Sequence, residues 1–174
     1  NKPKDTITTT DDPEGRKTVM ELVDGAVDER VYPVGRLDRN TTGVLFFTND
    51  GELAQRLIHP KRNIKKVYSV QLDKTLELDD LYKLERGLKL KDGLMKPDKV
   101  AYIDPEDQSK IGVEIHSGKN RIIHRMFNQL GYTVDKLDRV LFGGFDKRKL
   151  KRGEWRYLSD KEVKEIRLFV GLKG

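Results

Sequence analysis

The sequence contains no cysteine, which excludes disulfide frameworks, cysteine-ligated zinc, Fe–S clusters and thiol catalysis, and is compatible with a reducing cytosol. Long apolar runs are also missing. Stretches such as Val44-Leu45-Phe46-Phe47 fall far short of the ~20 residues that cross a bilayer, so neither a membrane span nor a signal peptide is expected. There is no Gly/Ser/Pro linker, low-complexity block or fixed-period repeat, so residues 1–174 read as one domain, long enough to bury a core without staples. Several signatures are absent as well: no GxxxxGK[ST] phosphate loop, no GxGxxG after a strand, no GxSxG elbow. Nucleotide hydrolysis and α/β-hydrolase chemistry thereby lose their usual marks. The three histidines, His59, His116 and His124, lie far apart and lack the HExxH spacing that puts two ligands on one helical face, so no metal site is expected. Charge, by contrast, is abundant. Lys and Arg total 35 against 29 Asp and Glu, a formal charge of +6 on a chain that is 37% charged, which points to a polyanionic partner.

Hydrophobic periodicity gives an α+β pattern rather than a regular βαβ alternation. Val44 to Thr48 suits a buried strand, and Asn49-Asp50-Gly51 caps a helix carrying Leu53, Ala54, Leu57 and Ile58 on one face up to His59-Pro60. Lys66 to Leu72 alternates as a strand, a helix over Leu78 to Arg86 stops at Gly87, and strands follow near Val100 to Ile103 and Ile111 to His116. Ile122, Ile123, Met126, Phe127 and Leu130 have helical spacing before Gly131, and Val134 to Phe142 and Trp155 to Leu158 complete the strands.

Cations cluster in three places. Lys61 to Lys66 holds four and no acid; Lys119, Arg121 and Arg125 flank an apolar pair; Lys147 to Arg156 holds six against the single Glu154. Each can be a solvated face. Together with the aromatics Tyr68 and Trp155 they fit nucleic-acid binding, in which cations hold phosphates, planar groups stack on bases, and neutralising a tract flattens the salt dependence. The densest segment is Val34-Gly35-Arg36-Leu37-Asp38-Arg39-Asn40-Thr41-Thr42-Gly43. By chemistry alone Asp38 is either part of a surface ion-pair loop or a carboxylate kept ionised by cations and ready to act as a nucleophile.

Gly35-Arg36-Leu37-Asp38, Thr42-Gly43 and Leu45-Phe46-Phe47-Thr48-Asn49-Asp50-Gly51-Glu52-Leu53 resemble the nucleophile motif of the RsuA-type ribosomal RNA pseudouridine synthases. The likeness continues in order through Asp12-Pro13-Glu14-Gly15-Arg16, His59-Pro60, Lys66-Val67-Tyr68, Gly118-Lys119-Asn120-Arg121, Arg125-Met126-Phe127, Leu130-Gly131-Tyr132, Leu137-Asp138-Arg139 and Gly153-Glu154-Trp155-Arg156.

The resemblance implies isomerisation of a uridine in ribosomal RNA, of the large subunit, to pseudouridine, after flipping the base into a pocket and without metal or organic cofactor. It also implies a cytoplasmic, monomeric protein. The implied fold is a mixed, largely antiparallel sheet split by a cleft, with helices outside. In that likeness Asp38 is the nucleophile, attacking at the ring or the ribose, and Tyr68 stacks on the base and takes the final proton. Arg36 supports the flipped geometry and Ile123 packs on the other face of the ring. Lys119, Arg121, His124 and Arg125 complete the candidate substrate-binding residues. An S4 RNA-binding domain is expected ahead of Asn1-Lys2-Pro3. One departure stands out: where the family places an arginine or lysine paired with the aspartate, this chain has His124 followed by Arg125, and Ile122 replaces a usual glutamine. Either His124 pairs with Asp38 as imidazolium, titrating above the ordinary ~6.5, or Arg125 turns inward. Should neither supply the charge, a non-catalytic RNA-binding or ribosome-assembly protein on the same scaffold is the alternative.

Overall fold

The structure, a computed structural model, describes residues 1–174. Its centre is an antiparallel sheet in which β4 (Lys66–Leu72) lies between β8 (Lys110–Ile115) and β9 (Val134–Phe142). Strand β7 (Lys99–Tyr102) extends one side and β10 (Phe145–Asp146) the other. The exception to the antiparallel order is β2 (Thr42–Gly43), which runs parallel to β9 with Thr42 opposite Asp138 and Gly43 opposite Arg139. Two small ribbons lie outside this sheet: β1 (Tyr32–Pro33) with β3 (Phe47–Thr48), and the hairpin β5 (Leu88–Leu90) with β6 (Gly93–Met95).

Alternation in β8 buries Ile111, Val113 and Ile115 on one face, and β4 adds Val70 and Leu72. Helix α2 (Leu78–Arg86) covers this face with Leu81 and Leu84, and α3 (Ile122–Gln129) with Ile122, Ile123, Met126 and Phe127. A second apolar cluster joins Leu53, Ala54 and Leu57 of α1 (Gly51–Ile58) to Val34, Val44, Ile64, Phe142 and, from α4 (Asp160–Phe169), Ile166. The sheet therefore carries two cores, and the loop bearing Asp38 passes between them.

Several expectations change. Val44 to Thr48 is not one strand: the Val44 amide still donates to the Arg139 carbonyl at 2.9 Å, but pairing with β9 then ends, and Phe47–Thr48 turns to β1. Ile58 leaves the apolar face of its helix and is exposed. Trp155 to Leu158 pairs with no strand, because its side chains look elsewhere: Arg156 to Glu162, Tyr157 to the Ala26 carbonyl. Helix α4 begins at Ser159, whose hydroxyl accepts from the Glu162 amide while Glu162 accepts from the Ser159 amide, a capping box written in the sequence as Ser-x-x-Glu.

At Gly43 the backbone has φ +113°, and a Cβ there would stand 2.1 Å from the Arg139 carbonyl oxygen. Neither backbone can yield without breaking the β2–β9 pairing, so Gly43→Ala is expected to cost about 3 kcal/mol or more. Thermal unfolding should show this as a Tm lowered by roughly 10 °C.

Candidate active site

Asp38 sits in a loop that the first residues of the chain clamp. Thr8 exchanges two hydrogen bonds with Leu37, its hydroxyl donating to the carbonyl at 2.8 Å and accepting from the amide at 3.2 Å. Lys2 is 1% exposed, and its ammonium donates to the carbonyls of Pro3 and Arg39 at 3.0 Å and Thr41 at 2.7 Å. Burial lowers its pKa to about 8, opposed by the charge of Asp38. A buried ammonium spent on three carbonyls fixes the path of residues 39–41 and with it the direction of Asp38. Lys2 carries a positioning role that its bare Lys-Pro context did not disclose.

The Asp38 carboxylate opens into a cleft of about 370 Å³, within the range of small-ligand pockets. Arg36, Lys66, Tyr68, Lys119, Arg121, Ile123 and His124 all line it, so the structure brings together every candidate residue except Arg125. Tyr68 is half-buried on β4, opposite Arg139 in the sheet register. Ile123 is 2% exposed and serves two ends, packing in the larger core while presenting part of its surface to the cleft wall. Arg36 is exposed at the rim and makes no ion pair.

Arg121 supplies the counter-cation of Asp38. Its Nη1 lies 2.5 Å from Oδ2, with 49% of the arginine side chain and 39% of the aspartate exposed. This corrects the expectation that His124 or Arg125 would fill that place. His124 has its pKa pushed down, first by burial and then by the charge of Arg121, against the weaker pull of Asp38. Both effects favour the neutral imidazole over the imidazolium that pairing with Asp38 would need. Arg125 points away, its Nη1 2.8 Å from Asp92 and its Nε donating to the Asn120 carbonyl at 3.0 Å. The reason Arg121 wins is conformational. It precedes α3 in the left-handed region, φ +52° and ψ +33°, which swings its side chain off the helix and across to Asp38.

The floor of the cleft holds a second, hidden cation. Arg139 is 4% exposed; its Nε and Nη2 donate to the Val44 carbonyl at 2.9 and 2.6 Å, and its guanidinium lies 4.4 Å from the Phe142 ring centre. Burial lowers its pKa, while the facing Tyr68 favours its charged form. No carboxylate neutralises it, so it adds positive potential beneath Tyr68. Lys66 joins it, half-buried, with its pKa lowered to about 8 by burial and by Arg139. The motifs Lys66-Val67-Tyr68 and Leu137-Asp138-Arg139 held both residues, but the sequence does not show that a parallel strand pair seals Arg139 under the site.

The two basic tracts divide differently than expected. In Lys147 to Arg156, Lys147 and Arg152 pair with Asp138 at 2.5 and 3.1 Å. Arg148 lies 3.6 Å from Glu162, and Arg156 grips that carboxylate with two 2.8 Å hydrogen bonds that help hold its pKa down to about 2. These cations brace the C-terminal third of the chain, leaving Lys149 and Lys151 without ion partners. Trp155 lines a separate apolar cavity of about 500 Å³, edge-on to Tyr157 at 5.0 Å, and does not reach the cleft. In Lys61 to Lys66, Lys65 faces Glu114 at 3.6 Å and Lys66 enters the cleft.

No helix is long and apolar enough to cross a membrane. Comparison with known proteins agrees with the geometry. An uncharacterized RNA pseudouridine synthase of Aquifex aeolicus is 38% identical over 162 residues, covering 92% of this chain and 65% of that protein. Ribosomal large subunit pseudouridine synthase B of Bacillus subtilis is 39% identical over 169 residues, 95% of this chain and 69% of that one. A crystal structure of a pseudouridylate synthase superposes with a TM-score of 0.84 at 28% identity, covering 95% of this chain and 71% of its own. The chain thus spans about two thirds of the length of these relatives. Residues 1–129 match the RNA pseudouridylate synthase family, and with a mixed α+β sheet, an Asp38 cleft and relatives of this kind, the chain belongs to that family.

Proposed function

We propose that the chain isomerises a uridine in large-subunit ribosomal RNA to pseudouridine, with Asp38 as nucleophile. The observation that carries this reading is a half-exposed carboxylate ion-paired to Arg121 in a cleft walled by Tyr68 and Ile123, with Arg36, Lys66 and Lys119 around it. A flipped uridine fits between a ring and an aliphatic side chain, and cations at the rim hold the flanking phosphates. The naming of the Bacillus relative for the large ribosomal subunit supports the choice of RNA.

The chemistry balances within the nucleotide. The Asp38 carboxylate bonds to ribose C1′ as the C1′–N1 bond breaks and leaves its electron pair on N1, or adds to the ring before that bond breaks. The uracil turns in the cleft, C5 bonds to C1′, the bond to Asp38 breaks and returns the free carboxylate, the proton on C5 leaves and N1 gains one. Arg121 pairs with the carboxylate and aims it, and Tyr68, in the same cleft, is the group that takes the departing C5 proton. Release of tritium from [5-³H]uridine in ribosomal RNA tests the reading; its absence under all conditions would overturn it. The non-catalytic alternative was favoured by the missing cation at position 124, and Arg121 removes that motive.

Lys66 makes the binding pH-dependent. With a pKa lowered to about 8, its ammonium is charged below that pH and neutral above it. RNA affinity should therefore drop as pH rises from 7 to 9, and the salt slope should shrink by ~0.7 for one lost phosphate contact. Lys66→Arg should remove this drop, because arginine stays charged. The comparison isolates Lys66 from Lys2, whose pKa is lowered to the same region. Fluorescence anisotropy at several salt concentrations reads it, and identical pH profiles for the two proteins would count against a phosphate contact.

A further inference from the structure

The hairpin β5–β6 sits against α3, its turn formed by Lys91 and Asp92. From that turn Asp92 takes two holds, one on α3 and one on the segment before it: its carboxylate accepts from Arg125 Nη1 at 2.8 Å, and its backbone carbonyl accepts from Lys119 Nζ at 3.2 Å. Arg125 passes the hold on, because its Nε donates to the Asn120 carbonyl at 3.0 Å, one residue before Arg121. Gln129 Nε2 donates to the Lys89 carbonyl at 3.0 Å and ties the far end of α3 to the same hairpin.

This matters because Arg121 stands in a conformation it would not adopt unaided. A non-glycine residue in the left-handed region is disfavoured, and α3 has no side chain capping its first amides, so outside contacts add to the turn's own Ile122-amide-to-Lys119-carbonyl bond of 3.3 Å in holding the geometry. Across the loop, Lys66 Nζ donates to the His116 carbonyl at 3.4 Å, a longer and weaker contact. The Asp92–Arg125–Asn120 relay is the short one. We infer that Asp92 is a positioning residue: acting through Arg125, it holds Arg121 in the left-handed turn that places its guanidinium on Asp38. The inference rests on the reading that Asp38 is the nucleophile. The pair itself is half-exposed, 33% for Arg125 and 46% for Asp92, so its loss should scarcely change global stability, while a small displacement of a catalytic group costs rate steeply.

The test uses the full chain and four variants: Asp92→Asn, Asp92→Glu, Arg121→Gly, and Asp92→Asn combined with Arg121→Gly. Under tritium release, Asp92→Asn should lower kcat by about 10-fold with KM within 2-fold of wild type, and Asp92→Glu should recover most of it. In the Arg121→Gly background, Asp92→Asn should add no further loss, since the group it positions is gone. In the free protein, amide hydrogen exchange at residues 118–121 should quicken in Asp92→Asn while Tm stays put. An unchanged kcat, an equal fold-loss in both backgrounds, or unaltered exchange at 118–121 would overturn the inference. A wild-type chain inactive on all ribosomal RNA would overturn the isomerase reading alone, and the exchange experiment would still decide whether Asp92 holds the loop.

Discussion

Asp38→Asn is expected to abolish isomerisation, by on the order of 10⁴-fold or more, while RNA affinity stays within a few-fold. Asparagine keeps the shape of the side chain and removes the charge that must form the bond. The fold should tolerate it: both partners of the Asp38–Arg121 pair are substantially exposed, 39% and 49%, so water can satisfy the released guanidinium and the pair adds at most about 1 kcal/mol to stability. Binding should survive because the cations that would hold RNA, among them Arg36, Lys66 and Lys119, are untouched. Tritium release and filter binding on the same preparation check both halves. Turnover within tenfold of wild type would remove Asp38 from the chemistry.

The second large effect belongs to Arg121. Arg121→Gly deletes the guanidinium without placing a new side chain at φ +52°, so lost charge is read with little added strain. A fall in kcat of roughly 10² to 10³ is expected, the scale of losing one preorganised electrostatic partner. No neighbour replaces it in full: burial, the largest cause that lowers the His124 pKa, remains when Arg121 is gone, and Arg125 is held by Asp92. His124 lines the same cleft as Asp38 and Arg121, so an arginine placed there can face the carboxylate. Arg121→Gly combined with His124→Arg should therefore recover at least tenfold of the loss. Steady-state kinetics measures it; a single variant within twofold of wild type would assign the ion pair no part in the reaction.

How far the chain could be read in advance depended on whether the deciding interaction was local. Helices α1, α2 and α3 and strands β4, β8 and β9 were legible because each carries a clean apolar period with a stop beside it, as at His59-Pro60, Gly87 and Gly131. Helix α4 and the hairpin β5–β6 carry shorter signals, Ser159-x-x-Glu162 and the alternation Leu88, Leu90 ahead of Asp92-Gly93, which hydrophobic period alone does not reveal. Trp155 to Leu158 misled, since its aromatics line an apolar cavity and its arginine reaches Glu162. The same cause hid the fate of the basic tract, whose partners Asp138 and Glu162 meet it only in the folded chain. At the proposed site, motif order pointed to Asp38, Tyr68 and cations that the fold brings to one cleft. It could not find which cation faces Asp38, because that turns on one backbone angle at Arg121, imposed by contacts from a hairpin about thirty residues earlier.

The most direct test of the central claim is to incubate the purified chain with unmodified large-subunit ribosomal RNA and map pseudouridine at nucleotide resolution, with Asp38→Asn in parallel. A new pseudouridine at a defined position made by the wild-type chain and absent with Asp38→Asn is the predicted result. The same modification from both proteins, or none from the wild type, would contradict it.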